Sequence, residues 1–536
     1  MTKKIISVLC ALAMVLMLAA CTKTPASSAA PTPASSAEAP SSAAPAKKDP
    51  VTLVIWYRNA VGEQEYTKQV AAKLNEILAK TAGYEHVTFE LHPVADMATD
   101  FPLAQASKLP MDIVSTPMGI NFPTEVSNGS FLVLDDYLAK YPEVTAELPE
   151  WLLKLGQKDG KTYMVPNYQQ GADQFYFCTP KQYLDMSGYT EDQIRNIFWK
   201  GTVDEKFDFY EKFLLAVRKA TGKETKWIWG LTDRREYYAP GNEMTFVDWE
   251  NSYYWDEKTN TIGFTASRED VVKAYSKAGE FYAKGYIHPD IATMKGENFG
   301  GKNFLNDESW AFGWAQGIGS DDFMGAKATV NNGMEMVYIS TSDHVWINNT
   351  WGAGGLAISS TCKNPEEAVA ALALLENSKY QEFYNTLCYG LEGKHYEWVD
   401  KSAKTIKTLE FDGSQGNADC SYTCWKWTVG NTFNAWLNQS MSKELQDYIK
   451  NEINEGPKTK YIPLAGLMFD TSGVETEMSQ VITINKEYAS TLSNGIKGND
   501  AAKYYEEYKK QLENAGLNTI LDELNKQASD FLASKK

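Results

Sequence analysis

Between Thr22 and Pro50 the chain has nothing to bury: 24 of these 29 residues are Ala, Ser, Pro or Thr, and none is aromatic, Leu, Ile or Val. Such a stretch cannot offset the entropy lost on ordering, so it is expected to stay disordered. Every folded element is thereby pushed to residue 51 and beyond. As a flexible coil the tract reaches roughly 30 Å, and several times further when drawn straight. Ahead of it, Lys3 and Lys4 lead an apolar run of 16 residues from Ile5 to Ala20. That is short of the roughly 20 needed to cross a bilayer as a helix. A positive start, an apolar run and small residues at its end are the layout of a secretory signal.

The end of that run, Leu18-Ala19-Ala20-Cys21, resembles the bacterial lipobox. The resemblance implies a signal peptide over 1–20, a lipidated Cys21, and a disordered tether over 21–50 that holds a globular body near a membrane. An ordinary signal peptide followed by a chance cysteine stays open as the alternative. A Ser/Ala/Pro tether suits a monoderm cell surface.

About 485 residues follow the tether, more than one hydrophobic core sustains, so two or more lobes are expected. Removing Lys3 and Lys4 takes the formal charge from −17 to −19. An acidic surface of this kind argues against phosphate-backbone contacts and excludes nucleic acid as a partner. Five cysteines lie in the body, Cys178, Cys362, Cys388, Cys420 and Cys424. An odd number cannot pair fully within one chain. A single bridge such as Cys420–Cys424 stays open, and no second ligand pair accompanies those two, so no metal site is expected. Aromatics make up 12% of the chain. Aromatic faces can stack on the C–H faces of pyranose rings, although any one ring more commonly fills a core.

Strand–helix–strand alternation opens the body. Val51–Trp56 reads as a first strand, and Val70, Leu74, Ile77 and Leu78 form one face of a helix. Val87–Leu91 and Asp112–Ser115 read as further strands. This order predicts an α/β fold with a parallel, doubly wound sheet. Ligands of such sheets sit beyond the carboxyl ends of the strands, which points to Trp56, Tyr57, Arg58, Thr116 and Pro117. Helices are expected around 204–221 and 267–285, and a hairpin over Tyr253–Phe264. Asn364-Pro365-Glu366-Glu367 reads as a capped helix start. A helical stripe of Leu517, Ile520, Leu521, Leu524, Ala528, Phe531 and Leu532 ends the chain.

Several segments resemble the extracellular solute-binding proteins, the family that includes maltose-binding protein. Trp351-Gly352-Ala353-Gly354-Gly355-Leu356-Ala357-Ile358-Ser359, followed by Asn364 to Ala368, is similar to that family's hinge strand and helix. Glu308-Ser309-Trp310-Ala311-Phe312-Gly313-Trp314 is similar to its Trp-containing segment, though Phe312 and Gly313 alter the spacing of the two indoles. Asp159 to Pro166 is similar to the stretch entering the first crossover. Gly390-Leu391-Glu392-Gly393-Lys394-His395-Tyr396, with Phe469-Asp470 nearer the C-terminus, resembles a lipoprotein subfamily of these binders.

The resemblance implies a two-lobed type 2 periplasmic-binding-protein fold with an interlobe cleft. One lobe would take 51–166 plus about 357–420, the other about 170–352 plus about 421–536. Hinges at Tyr168–Ala172 and Trp351–Leu356 would absorb the closing rotation, with Gly352, Gly354 and Gly355 allowing close approach. Trp56, Trp310, Trp314 and Trp351 are the candidates for ring stacking, with Trp346 and Trp398 behind them. Arg58, Gln169, Asp321 and Asp322 are the candidates for hydroxyl contacts, and His395 is assigned a structural hydrogen bond. The implied function is that of a monomeric, lipid-anchored component of an ABC importer. It would bind a carbohydrate outside the cell and deliver it to the permease, with no cofactor, no metal and no catalysis. A surface glycoside hydrolase, or a binder of a non-sugar solute such as a peptide, is the competing reading; no Gly-x-Ser-x-Gly, His-Glu-x-x-His or phosphate-loop motif is present.

Overall fold

The computed structural model describes residues 48–59, 61–117, 119–171, 174–228, 244–247, 252–294, 309–317, 335–347, 354–410, 420–438 and 441–535. Cys21 and the tether lie outside them, apart from its last three residues.

The first sheet is built from β1 (Val51–Arg58), β2 (Val87–Val94) and β3 (Ile113–Ser115), with helix α1 (Thr67–Leu78) crossing between β1 and β2. Val70, Leu74 and Leu78 are buried on one face of α1, as their spacing requires. The strand order is β2, β1, β3, Gly355–Ile358, Met164–Pro166. The first three run parallel. The last two are antiparallel to their neighbours, so the sheet is mixed rather than wholly parallel. The chain leaves this sheet at Pro166 and re-enters it at Gly355, on the same edge, which reverses the returning strand.

Helices Pro365–Glu376 and Gln381–Tyr389 cover the sheet and share its core. Asn364 does not act as expected: its side chain makes no cap bond, and at φ −126°, ψ 63° it sits outside the extended region from which cap side chains reach back. The switch between lobes expected near 420 also falls later. Tyr422, Cys424, Val429 and Ala435 pack into the first core, because a chain segment bonded along that sheet's edge has its apolar groups beneath it.

A second sheet has the order Met336–Ser340, Gln174–Pro180, Trp310–Gly317, Trp227–Ile228. Helix Val203–Thr221 packs on it, started by a capping box between Thr202 and Glu205. Phe177, Phe209, Tyr210, Phe213 and Phe312 form the centre of this core, with Phe177 and Phe312 rings 5.1 Å apart. Much of the aromatic excess is therefore structural. A third core joins the hairpin Tyr253–Asp256/Thr261–Phe264 to helices Glu269–Ala283, Glu475–Ser493, Ala501–Asn514 and Leu517–Ser534. Asn525 fixes this contact by accepting from Ile262 N at 2.7 Å and donating to Ile262 O at 2.9 Å.

The crossings between the two sheets are tied together. Asn454, fully buried at the end of a π-helical turn Ile449–Asn454, accepts from Gly171 N at 2.7 Å and donates to Gln169 O at 2.9 Å. On the return crossing, Val345–Ile347 pairs with Thr459–Tyr461. A Cβ on Gly355 would meet Pro166 Cα at 2.8 Å and one on Gly354 would meet Pro117 Cγ at 2.5 Å, so the return depends on glycine at both positions.

Glu376, the last residue of its helix, is fully buried, and neither carboxylate oxygen has a hydrogen-bond partner among the described residues. Burial first, and then the charge of Glu147, push its carboxyl well above the usual range. The folded protein therefore keeps a proton that the unfolded chain releases as pH rises above about 4.5. Stability from this group is complete below that pH and falls as pH rises. Glu376→Gln is expected to raise Tm at pH 7.5 by several degrees and to leave it unchanged at pH 4, as differential scanning calorimetry at both pH values would read.

Candidate functional site

The carboxyl ends of β1, β3 and Met164–Pro166 and the start of Gly355–Ile358 share one edge of the first sheet. Segment 420–432 is laid along that edge by side chains that follow each strand. Asn59, directly after β1, donates to Gln64 Oε1 at 2.9 Å and to Thr423 O at 3.0 Å. Gln64 in turn donates to Cys420 O and accepts from Thr423 N. Ser115 at the end of β3 donates to Thr428 O at 2.6 Å. Asn167, following Pro166, donates to Trp427 O at 3.2 Å and accepts from Gly430 N at 2.7 Å. Tyr168 O accepts from Thr432 N at 2.8 Å.

Held by this lattice, the half-buried indoles of Trp425 and Trp427 stack with centroids 5.6 Å apart and planes 14° from parallel. Both indole N–H groups are withdrawn from solvent, and neither has an acceptor among the described residues. Arg58 Nε, at the end of β1, is in the same condition. Three donors without an acceptor among the described residues and two aromatic faces thus belong to the strand ends and edge segment where this sheet type takes its ligands. Buried donors of this kind cost free energy unless something accepts from them.

The Gly390–Tyr396 element supports the segment from behind. His395 accepts from Leu391 N through Nδ1 at 2.9 Å, which leaves the proton on Nε2, 3.2 Å from Ser421 Oγ. Ser421 Oγ donates to Glu410 at 2.6 Å, and Lys394 pairs with Glu410 at 2.6 Å. Burial would raise the Glu410 carboxyl, but Lys394 and Ser421 together hold it down at about 2. Burial lowers His395. Both ring nitrogens are engaged within the protein, so His395 is a brace for the segment. The element needs its first glycine, since Gly390 has φ +80° and a Cβ there would lie 2.6 Å from His395 Nδ1.

The residues singled out from sequence are distributed unevenly. Arg58 stands at the edge. Gln169 lies on the crossing, where its carbonyl is held by Asn454. Trp56 is not available for stacking: it is 3% exposed, bonded through Nε1 to Pro110 O and stacked on His92 at 4.0 Å. Alternation along β1 turns it onto the face that packs against Met97 and Phe101. Trp310 is likewise a core ring, 5% exposed and packed near Trp227 and His288. Trp398 packs on Trp436 at 4.5 Å. Trp314 pairs in register with Phe177, but its side chain lies outside the described residues, as do the side chain of Trp346 and all of Asp321, Asp322 and Trp351. Thr116 and Pro117 belong to the edge; Thr116 Oγ1 accepts from Gly355 N at 3.0 Å. Trp425 and Trp427 were missed because they sit in a segment with neither helical nor strand period. The available signal was a Trp-x-Trp pair in such a segment.

Two mixed α/β sheets joined by bundled crossings define the fold of the solute-binding proteins. Comparison with known proteins agrees. The structure is similar to the N-glycan transport solute-binding protein NgtS from Streptococcus pneumoniae, with TM-score 0.69 and 19% identity over 91% of this chain and 100% of that one. It is also similar to the S. pneumoniae ABC-transporter substrate-binding protein FusA in complex with kestose, with TM-score 0.56 and 14% identity over 90% of this chain and 100% of that one. In sequence, a carbohydrate ABC transporter substrate-binding protein of S. pneumoniae serotype 4 (strain ATCC BAA-334 / TIGR4) is 26% identical over 258 residues, 48% of this chain and 49% of the relative. The chain thus spans about half the length of that curated relative. Residues 463–533, which carry most of the three C-terminal helices, match a family model described as a domain of unknown function, DUF3502.

Proposed function

We propose that the protein is the solute-binding component of an ABC importer, that it captures a carbohydrate, in particular an oligosaccharide, and that it hands this ligand to a membrane permease. The observation that carries the reading is the stacked Trp425–Trp427 pair, whose two indole N–H groups have no acceptor among the described residues. A sugar offers what these groups lack: C–H faces for the indoles and hydroxyl oxygens for the donors. The names of the similar proteins support the same class of ligand. The role is binding rather than bond breaking. Ligand touching both lobes would shift an open–closed equilibrium towards the closed form that a permease recognises. A thermal-shift panel of glycans and peptides tests the reading. Stabilisation by one or more glycans is expected, and stabilisation by peptides alone would overturn it.

The remaining assignments belong to the same proposal. Trp314, Gln169, Asp321, Asp322 and Trp351 would complete the ligand contacts across the cleft. Trp314→Ala is expected to weaken glycan affinity by about 1–3 kcal/mol, read by calorimetry on a variant with an intact fold. The protein would act as a monomer held to the outer face of the cell membrane through a lipid on Cys21. Metabolic labelling with an alkynyl fatty acid should tag the chain, and Cys21→Ser should abolish the tag.

A further inference from the structure

The body's cysteines are not equivalent. Cys178 lies in the second core, Cys362 is half-buried beside Asp112, and Cys420 donates to Glu410 O at 3.3 Å. Cys388 and Cys424, far apart in sequence, come together. Cys424 N donates to Cys388 O at 3.4 Å, and the Cys388 thiol is near enough to perturb the Cys424 thiol electrostatically. A backbone contact of this kind brings the Cα atoms near the roughly 4.4–6.8 Å separation that a disulfide spans. Both residues are almost fully buried, 4% and 3% exposed, and both are free thiols. They line one cavity together with Tyr422, Thr423 and Trp425. Cys388 occupies the last turn of its helix, just before Gly390, and Cys424 immediately precedes Trp425.

We propose that Cys388 and Cys424 are the oxidisable pair of this protein, closing to a disulfide by exchange with a small-molecule disulfide. One thiolate attacks the external disulfide, releasing one small thiol and leaving a mixed disulfide. The second thiolate attacks the protein sulfur of that mixed disulfide and releases the second small thiol. Two protein thiols are oxidised, one external disulfide is reduced, and the two protons pass to the departing thiols. Burial and the neighbouring Cys388 raise the Cys424 thiol well above its usual range, so the native pair reacts slowly and closure belongs to folding or to transient opening. The bridge would staple the helix end before Gly390 to the segment that carries Trp425. This inference stands independently of the ligand proposed above.

The full chain, unfolded and refolded in glutathione buffers from fully reduced to fully oxidised, provides the test. After alkylation and proteolysis, mass mapping is expected to find a Cys388–Cys424 cross-linked peptide whose share rises with oxidised glutathione. The bridged protein should melt about 5 °C higher than the reduced one, with the gain removed by dithiothreitol and absent from Cys388→Ser and Cys424→Ser. No such peptide in fully oxidised glutathione, or a Cys420–Cys424 peptide in its place, overturns the proposal.

Discussion

Replacing Trp425 and Trp427 together by alanine is expected to weaken carbohydrate binding by about 2–4 kcal/mol, roughly 30- to 1,000-fold in Kd. Each indole offers a large apolar face and a donor, and removing either one is worth about 1–3 kcal/mol. The rings stack on each other, so the double change need not equal the sum of the single ones. Their backbone is fixed by Asn167, Ser115 and Tyr384, which bond to carbonyls rather than to the rings. The substitution should therefore leave the segment's course intact. Trp398→Ala, which removes a ring packed on Trp436 outside segment 420–432, should leave Kd within twofold. Calorimetry on variants matched by circular dichroism reads both. Unchanged affinity in the double variant would remove this pair from the site.

Asn454→Ala is expected to destabilise the folded protein by about 2–5 kcal/mol. Its amide satisfies one backbone N–H and one backbone carbonyl of the first crossing, at Gly171 and Gln169. Both groups would be left without their partner in a site where Asn454 itself has no exposure, and each orphaned group costs about 1–3 kcal/mol. The loss would be measured as a lower urea midpoint. Asn454→Leu, which fills the space without either hydrogen bond, should lose about as much as Asn454→Ala, and wild-type stability in it would show that packing rather than hydrogen bonding holds the crossing.

The framework was legible because its signals are local. Val70, Leu74 and Leu78 announce α1 by spacing, β-branched runs announce β1 and β2, and turn chemistry around Asn260, which adopts φ +53°, announces the hairpin. The need for glycine at Gly354 and Gly355 was also readable, as was the structural bonding of His395. What could not be read was anything set by contacts distant in sequence. Whether a tryptophan on a strand faces a core or a ligand depends on which sheet face the neighbouring helix covers, and Trp56 and Trp310 were assigned to the wrong side for that reason. The path of 420–432 along the sheet edge is dictated by Asn59, Gln64, Ser115 and Asn167, residues hundreds of positions away. No period in the segment itself encodes it. The reversed strand Gly355–Ile358 was hidden likewise, because its direction follows from where the chain returns from the second sheet.

Calorimetric titration of the full chain with a glycan selected by thermal shift, followed by chromatography of the recovered sugar, bears most directly on the central claim. One glycan should saturate each chain and return chemically intact. Recovery of a shortened sugar, or the absence of heat across every glycan tried, would contradict it.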